Sequence, residues 1–118
     1  MGDVTDAMQT ALSELDAISS AWGLSFDETA EVLGVSPTTL RRYRRRGVPP
    51  ARAAVISKLF RATIILGQYV RSDRIPTVVR RSAVILGGKS LMQLARAGQY
   101  EKLLTSMGRV FDLRRVAP

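Results

Sequence analysis

Between Ser25 and Pro50 the chain is punctuated so densely that only two short helices fit, and this constrains the fold more than any other feature. Ser25 precedes Glu28 at the capping-box spacing, in which each side chain satisfies the other residue's backbone N–H, so a helix is predicted over residues 26–33. Gly34 supplies the backbone freedom of a tight turn. Ser36 then caps a second helix, and Pro37 takes its first position, where a missing N–H costs nothing. Gly47, Pro49 and Pro50 stop that helix near Arg46. Ala30 is the small residue that two crossing helices need where they touch. Leu33, Val35, Leu40 and Tyr43 supply the apolar faces between them. Thr29 stands where an aliphatic residue is more usual. Together these residues spell a helix-turn-helix.

The second of these helices carries the chemistry. With Leu40 and Tyr43 turned inward, its opposite face presents Thr38, Thr39, Arg41, Arg42, Arg45 and Arg46. Such a helix fits the major groove of double-stranded DNA, with Thr38 and Thr39 near base edges. Ser36 and the helix N-terminus can meet a phosphate. Arg41, Arg42, Arg44, Arg45 and Arg46 cannot all read bases, so most are expected on phosphates, giving an affinity that falls steeply with salt.

The flanking segments also read as helical. Val4, Met8, Leu12, Leu15, Ile18 and Trp22 form one helical stripe, capped by Asp3 or Thr5 and ended by Gly23. Residues 51–71 are apolar around most of a helix, as befits a central or interface helix. Residues 75–86 mix a helix-opening Pro76 with strand-favouring Val78, Val79, Val84 and Ile85, and a short helix is expected. Gly87-Gly88 forms a turn, Ser90 caps a helix over residues 91–97, and Gly98 ends it. A last helix covers residues 100–111, and residues 112–118 are expected as a mobile tail. The fold class is therefore all-α. Residues 1–50 form the helix-turn-helix region with its N-terminal helix, residues 51–72 a linking and dimerisation helix, and residues 73–118 a C-terminal helical region.

Composition narrows the function. The chain has no cysteine and no histidine, which removes thiolate metal sites and the usual general base. No acidic pair sits in an apolar setting, so neither an enzyme nor a cofactor is expected. Acids Asp3 and Asp6 replace the basic start of a signal peptide, and the segment from Val55 to Val70 is too short and too charged to span a bilayer. A soluble, cytoplasmic protein with no membrane partner is expected. Residues 1–40 hold seven acids and no base, whereas residues 41–118 hold all eighteen bases and a net charge of +15. Fifteen of those bases are arginine, suited to bidentate contact with phosphate and guanine. That balance points to a polyanionic partner, nucleic acid first and an anionic membrane second.

The run GVSPTTLRRY followed by RRGVPPAR resembles the recognition region of MerR-type regulators, but those continue into a wing where this chain continues into a helix. Residues 86–104, LGGKSLMQLARAGQYEKLL, resemble the toxin-binding region of the Xre/MbcA/ParS antitoxins, through Leu86, Gly87, Gly88, Ser90, Leu94, Gly98, Tyr100, Glu101 and Leu104. The order agrees as well: an Xre-type helix-turn-helix, a long linking helix, then this region. The resemblance implies a dimeric type II antitoxin that neutralises a RES-domain, NAD-targeting toxin and represses its own operon. It implies toxin contacts at Gly87, Gly88, Lys89 and Ser90, and at Arg109, Asp112, Leu113, Arg114, Arg115 and Val116. Residues 110–118 would then block the toxin's active-site entrance, with Arg114 and Arg115 shielding an anionic-ligand pocket. The alternative is a stand-alone helix-turn-helix transcriptional regulator without a toxin.

Overall fold

A computed structural model describes the backbone of residues 3–116 and the side chains of residues 9–109. Helix α1 (Asp3–Trp22) is followed by α2 (Phe26–Leu33), α3 (Pro37–Arg46), α4 (Pro50–Tyr69), α5 (Ile75–Arg80), α6 (Leu91–Arg96) and α7 (Tyr100–Val116). The described residues form no strand, and the fold is all-α.

Helix α4 is the axis of the molecule. It packs against α1 on one side and α7 on the other, and α2 rests on α6. Its inward residues Ile56, Leu59, Ala62 and Leu66 are buried, because spacings of three and four keep them on one face. The α1 stripe meets them with Leu15, Ile18 and Trp22, all buried, while Leu12 is partly buried. Val4 and Met8 of that stripe, and the cap expected at Asp3 or Thr5, lie outside the described side chains.

The apolar circumference expected of α4 is only partly covered. Ile64 and Tyr69 are exposed, and Phe60 and Ile65 are half-buried. No single helix among the described residues is long and apolar enough to cross a membrane.

Three expectations need correction. The long helix ends at Tyr69 rather than residue 71, because Val70 turns extended at φ −126°, ψ 134°. The chain direction then swings by 120° into the next helical stretch. The helix expected over residues 75–86 breaks at Arg80. Arg81 and Ala83 take extended backbone, and Ala83 N–H donates to Lys89 carbonyl at 3.1 Å, closing a small loop around the Gly87-Gly88 turn. Within that loop the strand-favouring Val84 and Ile85 sit in a short 3-10 turn, Val84–Leu86. Finally, the backbone of α7 stays helical to Val116, so most of the segment expected as a tail continues the helix. Ala117 and Pro118 lie outside the described residues.

Arg80 ties the ends of these elements together. Its guanidinium donates to the carbonyls of Trp22 at 2.7 Å and Gly23 at 3.0 Å, satisfying the acceptors that α1 leaves open at its C-terminus. It also reaches Glu28 at 3.4 Å, so one arginine joins α1, α2 and α5.

Candidate nucleic-acid interface

The capping residues place α2 and α3 where the sequence predicts. Ser25 Oγ accepts from Glu28 N–H at 3.1 Å, and Glu28 carboxylate accepts from Ser25 N–H at 2.9 Å. That backbone hydrogen bond, with Arg80 nearby, holds the Glu28 carboxyl below the usual carboxylate range. Gly34 adopts left-handed backbone at φ +80°, as the turn requires. Ser36 Oγ accepts from Thr39 N–H at 3.1 Å, and Pro37 opens α3.

Between the two helices Ala30, Leu33, Leu40 and Tyr43 are buried, and Val35 is partly so. Thr29 is tolerated in this core because its hydroxyl is satisfied. It donates to Ser25 carbonyl at 2.8 Å and lies 2.9 Å from Ser19 Oγ. A buried hydroxyl with partners avoids the desolvation penalty that an orphan would carry.

With Leu40 and Tyr43 fixed inward, the 100° step of the helix decides where each arginine stands. Thr38, Arg41, Arg42 and Arg45 share the outward face and are exposed, and Arg46 flanks it. Arg42, Arg45 and Arg46 form no ion pair with any described acid. Thr39 is half-buried, and its hydroxyl accepts from Ser36 Oγ at 3.0 Å, so it belongs to the cap more than to the outward face. Arg44 points to the side and pairs with Asp16 of α1 at 2.7 Å. Arg41 lies over the ring of Phe26, 5.5 Å from its centroid, a cation–π contact that limits where the guanidinium can go.

Helices α4 and α7 brace the turn. Arg52 donates to Leu33 carbonyl at 3.1 Å, and the buried Tyr100 hydroxyl donates to Val32 carbonyl at 2.8 Å. A Cβ on Gly34 would meet both groups, at 3.3 and 3.4 Å. Burial raises the Tyr100 pKa against the opposing pull of Arg52, which keeps the phenol protonated as a donor. Tyr100→Phe should therefore leave the Val32 carbonyl unsatisfied and destabilise the protein by about 1–3 kcal/mol. Urea unfolding measures this, and an unchanged midpoint would mean that the hydroxyl contributes nothing.

The residues expected to touch a toxin are split. Gly87, Gly88 and Lys89 are exposed at the turn, the two glycines at φ +71° and +80°. Ser90 is buried, and its hydroxyl caps α6 by accepting from Gln93 N–H at 3.1 Å, while Gln93 returns the bond. Arg109 is exposed on α7. The side chains of Asp112, Leu113, Arg114, Arg115 and Val116 lie outside the described residues.

Phe26, Arg52, Arg80 and Tyr100 were missed by sequence reasoning as parts of this framework. Their partners lie far along the chain, and no local spacing announces them. The Ser90–Gln93 capping box was legible, since it repeats the spacing of Ser25 and Glu28.

The model of the antitoxin Xre-like helix-turn-helix domain matches residues 6–61. No curated protein and no solved structure matches the chain. The matched span starts within α1, contains α2 and α3 whole, and ends inside α4, which includes the arginine face and the helices that hold it. Residues 6–61 are therefore similar to the antitoxin Xre-like helix-turn-helix domain.

Proposed function

We propose that the chain is a DNA-binding antitoxin that represses its own operon through α3 and neutralises a toxin through its C-terminal half. The observation that carries the DNA reading is the outward face of α3. Arg42, Arg45 and Arg46 stand there without acidic partners, and Arg41 is steadied by Phe26. Like charges packed this closely repel one another, and a polyanion relieves that repulsion. The matched domain is an antitoxin domain, which supports the same reading.

For the toxin, the resemblance of residues 86–104 to the Xre/MbcA/ParS toxin-binding region favours a RES-domain, NAD-targeting enzyme. The exposed Gly87-Gly88-Lys89 turn is the natural contact. A two-fold dimer would double the DNA contact, and α4, with Ile64 exposed opposite its buried stripe, is the proposed interface.

Three assays test this. Affinity for a duplex carrying the chain's own upstream region should fall by orders of magnitude between about 50 and 200 mM salt. Light scattering of the same sample should report a dimer. Co-expression with the adjacent reading frame should relieve growth arrest. A flat salt response would remove the DNA reading, and unrelieved arrest the toxin reading.

A further inference from the structure

Where the loop of residues 81–90 bridges α5 to α6, it leaves an apolar groove of about 170 Å³ against the end of α4. Leu66, Val78, Leu86, Leu91 and Met107 line it, and Ile85 and Arg81, both exposed, stand on its open side. The volume is close to that of engineered apolar cavities, about 150 Å³, which stay dry and take up a benzene ring. It suits one bulky aliphatic side chain. Beside it Val84 is 95% exposed, an unusual setting for a valine in an ordered turn.

Charge around the groove points to the occupant. From Arg74 to Arg109 the chain carries seven bases and a single acid, Glu101, which Lys58 holds at 2.8 Å. Arg80 and Arg96 are occupied by Glu28 and Glu31. Arg81 in the groove wall and Lys89, whose backbone pairs with Ala83 of that wall, meet no described acid. A second copy of the chain is a poorer source of carboxylates: of the seven acids with described side chains, Asp16, Glu28, Glu31, Asp73 and Glu101 are already paired, and the two outside those ion pairs, Glu14 and Asp27, stand on separate helices. A nucleic acid offers charge but nothing aliphatic to fill the cavity.

We propose that this groove seats a bulky aliphatic side chain from an acidic segment of the partner protein, with Arg81 and Lys89 meeting the flanking carboxylates. The proposal rests on the reading that the chain neutralises a protein partner, and it adds the chemistry that partner presents.

Methyl NMR of the full chain with 4-methylpentanoate reads the groove directly. Shifts are expected at Leu66, Val78, Leu86, Leu91 and Met107, with the neutral 4-methylpentanamide at least about threefold weaker. The preference for the acid should vanish in Arg81→Glu. Shifts scattered over the surface, or acid and amide binding alike to the parent chain, would overturn the proposal. A second arm measures affinity for the product of the adjacent reading frame. Val84→Asp, at an exposed position, should keep parental DNA binding and lose at least about tenfold in partner affinity. Undiminished partner affinity in that variant would overturn the groove and leave the proposed function standing. If the parent chain does not bind that product at all, the proposed function falls, and the NMR arm alone decides the groove.

Discussion

Replacing Arg42 and Arg45 together with alanine is expected to lower affinity for duplex DNA by at least about thirtyfold, roughly 2 kcal/mol or more. Both side chains are exposed on the outward face of α3 and neither has an acidic partner. A guanidinium on a base edge contributes about 1–3 kcal/mol of discrimination, and one on a phosphate steepens the salt dependence by roughly 0.9. The pair should therefore reduce affinity, salt slope or both. Arg44→Ala is the control, because it removes one of the same five arginines but breaks only the exposed contact with Asp16. An exposed pair of that kind contributes about 0–1 kcal/mol to stability, and its loss should leave the salt slope unchanged. Fluorescence anisotropy at several salt concentrations separates the two cases. Equal damage from Arg44→Ala and from the double variant would mean that net charge, not the outward face, governs binding.

Trp22→Ala should destabilise the protein by about 3–5 kcal/mol, a large part of the roughly 5–15 kcal/mol that holds a domain of this size. Trp22 is fully buried, and its indole N–H donates to Thr63 Oγ1 at 3.0 Å. Thr63 in turn donates to Leu59 carbonyl at 2.8 Å, so the ring locks the end of α1 to the middle of α4. Alanine would leave a cavity, free the Thr63 hydroxyl from its donor and slacken the carbonyl that Arg80 grips. Chemical unfolding with urea reads the loss, and Trp22→Phe, which keeps much of the ring volume, should lie between the two. A change below about 1 kcal/mol for alanine would contradict the packing of α1 on α4.

The sequence determined every feature whose cause is local. Ser25 with Glu28, Gly34, Ser36-Pro37 and Gly47 each act on backbone groups within a few residues, so α2, the turn and α3 fall where their spacing predicts. The inward stripe of Leu40 and Tyr43 is equally local, since helical periodicity alone puts it opposite Arg42 and Arg45. The break at Arg80 was less legible. The residues after it suit either helix or strand, and the pairing of Ala83 with Lys89 and the reach of Arg80 to α1 decide the outcome.

Only the tertiary structure sorted the charges. Along the chain the acids of residues 1–40 and the bases that follow look like two separate blocks. In the fold Asp16, Glu28 and Glu31 meet Arg44, Arg80 and Arg96, which converts part of the apparent surplus into contacts between helices. The reason is physical. A cap or a helical face is fixed by neighbours one turn away, whereas an ion pair depends on which distant helices pack together. Composition could say that this protein is basic. Which arginines remain available for a partner was decided by the packing of α1, α2, α5 and α6 around α4 and α7.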